Sequence, residues 1–328
     1  MATTSTTLGT AGPATGSRSF LSRLRDGDEI ARLVTFLFAA SVVLITVLLV
    51  LQLWFNSALP RHKFGLHFFA TSVWDPIVEQ FGALPFIYGT LVTSGVALLL
   101  AVPLGIGAAI FLAELAPPRI SDTLQFFIDL LAAVPSVIYG VLGVFVVVPL
   151  VRTVIHPVLN RTLGFLPIFS GPSYGVGFIT AGIVLAIMVI PYIISVSREI
   201  LLSVPRDQRE AALALGSTRW ESTWKVVVPF AKTGIMGSIF LALARALGET
   251  MAVTMVIGNS PQISASLFAP GYSIAAVIAN EFTEATGDMY LQALVELGLV
   301  LFLLTFILNG LARLLIIFTT QKGSGIAN

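Results

Sequence analysis

Long runs of apolar residues dominate the pattern along this chain, and short polar segments separate them. About 20 apolar residues in an α-helix are enough to cross the hydrocarbon core of a bilayer. Each of the long runs exceeds that length, so the pattern predicts six transmembrane helices. The predicted spans cover about residues 33–55, 87–112, 124–151, 174–196, 227–257 and 291–318.

The composition agrees with a membrane protein, because 56% of the residues are hydrophobic and only 11% are charged. Soluble proteins carry roughly 25% charged residues on average. Cysteine is absent, which excludes disulfides, thiolate catalysis and cysteine-based metal sites. The three histidines, His62, His67 and His156, fall in predicted loops without the spacing of metal ligands. We therefore expect no catalytic residue and no metal site.

The N-terminal residues are rich in Ser, Thr and Gly and then become basic, a composition typical of a disordered segment. The first apolar run is too long for the core of a signal peptide and lacks a small-residue cleavage site. We predict a disordered, basic N-terminus (1–30), an N-terminal transmembrane helix (31–58), a five-helix core (85–320) that includes a charged loop (197–229), and a short tail (321–328).

The distribution of Lys and Arg predicts the orientation of the spans. Thirteen of these residues lie at the termini, in the loop after the second span and around the charged loop, whereas the opposite loops hold four. Because cytoplasmic loops carry the excess of basic residues, we expect both termini and the charged loop to be cytoplasmic. The loop 258–290 has no Lys or Arg. Its apolar stretch 273–279 is too short to span, so we expect a packed or re-entrant piece.

The most informative polar segment is 206–221, which reads RDQREAALALGSTRWE between two apolar runs. Its composition predicts a short surface helix. Small side chains at Ala211, Ala212 and Ala214 allow another protein to approach closely, and Gly216 is expected to end or bend the helix. The segment is therefore predicted to be a docking surface for a separate subunit.

This segment resembles the cytoplasmic signature of permease subunits of ATP-binding-cassette importers. That signature reads EAA, three residues, G, nine residues, I-x-L-P, and the spacing is kept throughout, with Val in place of Ile and of Leu. The matching residues are Glu210, Ala211, Ala212, Gly216 and Pro229. By resemblance, these residues couple the chain to an ATPase.

Three further stretches resemble phosphate-transport permeases of the PstC type: LAAVPSVIYG (131–140), RALGETMAV (245–253) and IANEF (278–282). The resemblance implies an all-α, polytopic protein with the MetI-like five-helix core of type I importers and one extra N-terminal helix in the plasma (inner) membrane. It also implies a second permease of the PstA type, two ATPase subunits and an extracytoplasmic phosphate-binding protein. We also expect contact with the lipid bilayer and no binding of nucleic acid.

The chain has no P-loop of the form G-x-x-x-x-G-K-[ST], since its four lysines follow His, Trp, Ala and Gln. We therefore expect no cofactor in this chain, with ATP and Mg bound by the partner ATPase.

The presence of ionisable residues within or near the spans requires an explanation. Even on the insertion scale, which gives low values, a charge at the bilayer centre costs about 2.5–3.5 kcal/mol. Arg245 lies 13 residues beyond Lys232, roughly 20 Å along a helix at 1.5 Å per residue and so close to mid-membrane. Its planar, permanently charged guanidinium suits a phosphate oxyanion. The predicted substrate pathway comprises Arg245, Glu249, Thr250, Glu296 and Asp129.

The roles within this pathway remain open at the level of sequence. Glu249 lies four residues after Arg245, so we expect the two side chains to share one helix face. Glu249 then either moderates the hold on the anion or forms a purely structural ion pair. Glu296 is a second potential partner of Arg245 or a subunit contact, and interfacial solvation is favoured over transport for Asp129.

Three other readings compete with a phosphate importer. The same machine could carry another oxyanion, such as sulfate or molybdate. A channel or secondary transporter explains buried charges but leaves the 206–229 segment without a role. A sensing subunit is a further alternative.

Overall fold

A computed structural model describes residues 28–324, with side-chain environments for residues 29–314. The predicted disordered N-terminus lies almost entirely outside the described residues, and so does the second half of the predicted tail. The α-helices are α1 (Asp28–Asn56), α2 (Ala58–Phe64), α3 (Leu84–Ile110), α4 (Pro118–Ala132), α5 (Ser136–Leu142), α6 (Val148–Leu150), α7 (His156–Leu163), α8 (Phe178–Leu202), α9 (Arg206–Ala214), α10 (Arg219–Ser222), α11 (Val228–Leu247), α12 (Met251–Ile257), α13 (Ile274–Glu281) and α14 (Asp288–Ser324).

Short 3₁₀ turns at Gly65–Phe69 and Pro167–Phe169 complete the helical elements of this part of the chain. Strands β1 (Trp74–Asp75) and β2 (Gln80–Phe81) pair antiparallel. The predicted all-α class therefore holds apart from one hairpin of two-residue strands.

Six helical segments in the described residues are long and apolar enough to cross a membrane, which agrees with the predicted number. They are Glu29–Asn56, Leu84–Leu115, Ser136–Leu163, Phe178–Leu202, Arg219–Leu247 and Asp288–Leu314. By its internal contacts the chain divides into two units, residues 1–52 and residues 53–328. The first unit contributes most of α1, and the second contains the other five spans.

The predicted bounds of the third span, 124–151, are wrong. The chain leaves helical geometry at Pro135, between α4 and α5, because proline lacks an N–H and disfavours helical backbone at the residue before it. The hydroxyl of Tyr139 donates to the Leu131 carbonyl oxygen at 2.7 Å across this corner. The spanning segment therefore begins at Ser136 and continues to Leu163.

Wider, π-helical turns interrupt two of the spanning segments and end a third, and each turn ends two residues before a proline. A proline ring would clash with the carbonyl four residues earlier, and its missing N–H could not bond to that carbonyl. A π-turn moves this carbonyl aside while the helix continues. In residues 28–324 these turns are Phe111–Leu115, Gly143–Val147, Val151–Ile155 and Thr223–Val227.

Helix α8 forms the centre of the second unit. In its most apolar window 67% of the residues are buried, against at most 33% in the other spans of this unit. Helices α3 and α8 approach closely because glycines lie at their contact. A Cβ on Gly182 would come within 2.4 Å of Val96, and one on Gly105 within 2.8 Å of Ile193.

A second apolar cluster lies around the β-hairpin and α13, with Phe81, Phe86 and Tyr272 among its buried members. Residues 274–277 of α13 are buried in it. The prediction of a packed piece too short to span the membrane is therefore confirmed for 273–279.

Candidate functional site

The residues of the predicted signature form a compact surface segment, residues 206–222. Helix α9 ends at Ala214, and Gly216 adopts the left-handed conformation with φ +86°. The amide of Gly216 donates to the Leu213 carbonyl oxygen at 2.9 Å, and the amide of Ser217 donates to that of Ala212 at 3.3 Å. These two bonds satisfy the free carbonyls of the helix end. The prediction that Gly216 ends the helix is confirmed.

The second half of the surface segment leads directly into the fifth span. The Glu221 amide donates to the Thr218 hydroxyl at 3.2 Å, and the Thr218 amide donates to Glu221 Oε2 at 3.0 Å. This reciprocal capping box begins α10. Pro229, the last residue of the signature, lies near the start of α11, directly after the π-turn Thr223–Val227 that accommodates its missing N–H.

The exposed face of the surface segment is partly apolar. Glu210 and Ala211 are exposed, and Leu215 is 91% exposed. A cavity of about 350 Å³ opens beside them. Ala211 and Ala214 are exposed, whereas Ala212 is only 9% exposed and lines the cavity; the close approach of a partner at the three alanines stays a prediction. Sequence reasoning missed Leu215, although a leucine directly before a helix-ending glycine is a usable signal.

Arg209 fastens the surface segment to its surroundings, and sequence reasoning did not single it out. Its Nη2 donates to Glu114 Oε1 at 2.8 Å, and its Nε donates to the same carboxylate. Its guanidinium also donates to the backbone carbonyl oxygens of Leu201, at 2.7 Å, and of Val204. One side chain thus contacts α9, the end of α8 and the turn that follows α3.

Arg198 makes a second such junction near the end of α8. It donates to the Ser121 hydroxyl at 3.0 Å and pairs with Asp122 at 3.2 Å and with the exposed Glu199 at 3.3 Å. The Ser121 hydroxyl in turn donates to the Leu112 carbonyl oxygen at 2.8 Å. These bonds join α4, α8 and the turn after α3, while the paired hydroxyls of Ser197 and Ser238, 2.7 Å apart, join α8 to α11.

Arg245 lies in the last turn of α11 and its residue is exposed. Its guanidinium carbon is 5.9 Å from the centre of the Tyr192 ring. No carboxylate among residues 28–324 is recorded within ion-pair distance of it. An arginine in this environment has donors left for an anion.

Glu249 and Thr250 do not continue the helix that carries Arg245. Helix α11 ends at Leu247, so the inference that Arg245 and Glu249 share one helix face is wrong. Gly248 and Thr250 interrupt the helix before α12 begins at Met251. Glu249 Oε1 accepts from the Ala252 amide at 3.2 Å, and the Thr250 hydroxyl donates to the Gly248 carbonyl oxygen at 3.3 Å. Both side chains therefore support the break and the start of α12.

The remaining two predicted pathway residues, Asp129 and Glu296, form no hydrogen bond or ion pair with Arg245. Asp129 is exposed on α4, where its Oδ1 accepts from Gln125 Nε2 and from the Ser195 hydroxyl, each at 2.7 Å. It therefore lies before the third span rather than at its start. Glu296 is 4% exposed on α14, and its Oε2 has no hydrogen-bond partner in this part of the chain. The structure does not pair Glu296 with Arg245.

At the other end of the second unit, Glu281 organises the 258–290 loop. Its Oε2 accepts from Trp74 Nε1 at 2.8 Å and from the Tyr290 hydroxyl at 2.7 Å. Nearby, Asn280 Nδ2 donates to the Tyr272 hydroxyl at 3.0 Å. Burial raises the pKa of Tyr272, an effect that this hydrogen bond partly offsets. The network holds the β-hairpin, α13 and the start of α14 together.

Comparison with known proteins identifies the class of molecule. The family model described as the inner membrane component of binding-protein-dependent transport systems matches residues 101–316. The chain is 47% identical over 281 residues to a phosphate transport system permease protein PstC of Mesorhizobium japonicum, covering 84% of this chain and 86% of that protein. It is 49% identical to PstC of Xylella fastidiosa (79% and 81% covered) and 40% identical to a probable PstC of Methanocaldococcus jannaschii (87% and 92% covered).

Among solved structures, the chain resembles an inward-facing structure of the MetNI methionine transporter. The TM-score is 0.54 at 15% identity, covering 74% of this chain and 98% of that one. This likeness concerns the fold alone and agrees with the predicted MetI-like core. The family model matches most of the chain, and the chain therefore belongs to the family of inner membrane components of binding-protein-dependent transport systems.

Proposed function

We propose that this chain is the membrane-spanning permease subunit of an ATP-driven importer that moves inorganic phosphate across the plasma membrane. The observation that carries the proposal is the identity of 47% and 49% to phosphate transport permeases over 84% and 79% of the chain. Fold alone would not identify the substrate, since one fold carries many functions.

In this proposal the surface segment is the docking site for a separate ATPase, which binds the ATP and Mg. Five residues keep the spacing of the coupling signature: Glu210, Ala211, Ala212, Gly216 and Pro229. The exposed Leu215 beside an open cavity offers an apolar contact. The excess of Lys and Arg on this side supports a cytoplasmic location for the segment and for both termini. The complete importer contains a PstA-type permease, two ATPase subunits and an extracytoplasmic phosphate-binding protein.

The substrate pathway in this proposal centres on Arg245. Its guanidinium is exposed and has no carboxylate partner among residues 29–314, so it can present several donors to one anion. In the assembled importer, where the second permease covers this side, the same group loses water and binds the anion more strongly. Glu249 limits that attraction, and Thr250, Glu296 and Asp129 border the route.

The proposal is tested by reconstituting the complete importer in liposomes and measuring uptake of radiolabelled phosphate. We expect uptake that requires ATP and that excess unlabelled sulfate or molybdate does not compete away. Arg245→Gln should lower phosphate uptake by roughly tenfold or more, because it removes a charge-assisted contact worth about 1.5–3 kcal/mol. Arg245→Lys, which keeps the charge and loses the fork, should give an intermediate rate.

Three outcomes would contradict specific parts of the proposal. Competition by sulfate or molybdate would assign the chain to another oxyanion. Uptake without the ATPase subunits would favour a channel or secondary transporter. Normal uptake by an assembled Arg245→Gln complex would remove Arg245 from the pathway.

A further inference from the structure

Arg209 on α9 forms an ion pair with Glu114 in the turn after α3. Among the described residues, this is the one ion pair that joins these two elements. The chain itself connects α9 to α8 through residues 203–205 and to α11 through residues 215–227. It provides no direct connection from α9 to α3. A movement of α9 therefore reaches α3 through side-chain contacts.

We propose that Arg209 is a positioning residue that transmits the movement of α9 to α3 through its ion pair with Glu114. This inference rests on the proposed function, in which an ATPase docks on the surface segment and moves it.

The geometry of the junction suits a rigid link. A guanidinium is planar and donates in fixed directions, so several simultaneous bonds leave it little freedom. Arg209 contacts both oxygens of Glu114, at 2.8 and 3.2 Å to Oε1 and 3.3 Å to Oε2. It also donates to the carbonyl oxygens of Leu201, at the end of α8, and of Val204, just after it. The side chain therefore cannot swing without breaking bonds to two other elements.

The burial of the pair separates it from ordinary surface ion pairs. The side chains of Arg209 and Glu114 are 20% and 10% exposed, whereas those of the Lys63–Glu79 pair are 44% and 58% exposed. Exposed pairs contribute little because water and salt screen them. Removal of one member of a buried pair leaves the other charge without compensation. The Arg209–Glu114 contact is therefore expected to be maintained when α9 moves.

The turn that contains Glu114 is itself hydrogen-bonded to neighbouring helices. Glu114 lies in the π-turn Phe111–Leu115 that follows α3. Two residues earlier, the Leu112 carbonyl oxygen accepts from Ser121, which also binds Arg198. Helix α3 packs along α8 with glycines at the contact. A displacement of Glu114 therefore moves α3, which packs closely against α8, and does not move a free loop.

The test compares Arg209→Gln, Arg209→Lys and Glu114→Gln with the exposed-pair control Lys63→Gln, each in the complete reconstituted importer. The readout is the number of phosphate ions transported per ATP hydrolysed. We expect Arg209→Gln and Glu114→Gln to lower this ratio by about tenfold while ATP hydrolysis continues, which is within the usual range of coupling between sites. Arg209→Lys should lower it less, because the charge is kept, and Lys63→Gln should leave it unchanged.

A distance measurement provides a readout independent of transport. The chain contains no cysteine, so Gln208→Cys on α9 and Leu104→Cys on α3 give it two unique spin-labelling sites in a complex whose other subunits lack cysteine. We expect a narrow distribution of label distances in the parent and in Lys63→Gln. Arg209→Gln and Glu114→Gln should broaden it, since the link between the helices is lost.

The outcomes distinguish the inference from the proposed function. A normal transport ratio in assembled Arg209→Gln and Glu114→Gln complexes overturns the inference, and so does an unchanged distance distribution. If Arg209→Gln does not assemble, Glu114→Gln, which keeps the side-chain volume, decides by the same two readouts. If the parent complex transports without ATP hydrolysis, the proposed function fails instead.

Discussion

At the scale of single residues, the conformation of Gly216 determines how firmly α9 ends. Its φ of +86° lies in the left-handed region, and a Cβ there would meet no atom within 4 Å. Any effect of Gly216→Ala must therefore come from the backbone, at a cost of roughly 1–2 kcal/mol.

We expect Gly216→Ala to speed hydrogen exchange of the amides of residues 216 and 217 by about tenfold, since those amides close the end of α9 and their opening costs less. Hydrogen-exchange mass spectrometry on peptides spanning 206–222 measures this effect. Gly237→Ala is the matched control, because Gly237 lies inside α11 and also has open space around its Cα. Equal exchange rates in the Gly216→Ala variant and the parent would mean that the conformation of residue 216 does not control the opening of the end of α9.

The sequence predicted the structural roles of some of these residues and not of others. Gly216 was predicted to end or bend the helix because a helix end is a local requirement of the backbone, and Pro229 was identified by its place in the signature that the segment resembles. Arg209 was not, since its partner Glu114 lies 95 positions away and only tertiary packing brings the two together. The buried position of Ala212 also depends on packing, which composition does not reveal.

At the scale of elements, the break between α11 and α12 sets the environment of the predicted pathway. The pattern predicted one span over 227–257 because both helices are apolar. Gly248 and the contact of Glu249 with the Ala252 amide instead divide it. The third span was misplaced for a related reason. Helix α4 is apolar on its exposed side, with Phe126 and Phe127, while its Gln125 and Asp129 bond to Ser195 of α8.

Substitution of Glu249 can test the effect of its charge separately from the effect of its hydrogen bond to α12. Glu249→Gln keeps an oxygen acceptor for the Ala252 amide and removes the charge. If this charge limits the attraction of Arg245 for the anion, the variant should bind phosphate more tightly and release it more slowly. With an effective dielectric near 20, removal of a charge at about 8–16 Å changes binding by roughly 1–2 kcal/mol, or about tenfold.

The measurement is initial uptake rate against phosphate concentration in liposomes, with Glu284→Gln as a control at an exposed acid in the 258–290 loop. A lower KM together with a lower kcat supports the proposed role. A Glu249→Gln variant with the parental KM and kcat would leave Glu249 with only its contact to α12, and Glu249→Ala should then lower stability by about 1 kcal/mol, as loss of a cap does.

At the scale of the whole molecule, the six spans and the basic residues together define a topology. An even number of spans returns the chain to its starting side, and four spans precede the surface segment. In the proposed topology the segment and the N-terminus lie on one side of the membrane, and the excess of Lys and Arg predicts that this side is cytoplasmic. The β-hairpin follows the first span and should lie on the opposite side.

Single cysteines in this cysteine-free chain test that arrangement directly. Ile77, between the hairpin strands, is 93% exposed, and Leu215 is similarly exposed on the surface segment. We expect Ile77→Cys to react with a membrane-impermeant maleimide in intact cells, whereas Leu215→Cys should react only after the membrane is disrupted. The parent chain without cysteine controls for background labelling. The reverse pattern would place the surface segment outside the cell, where no ATP-consuming subunit could reach it, and both Arg209 and the signature would need a different explanation.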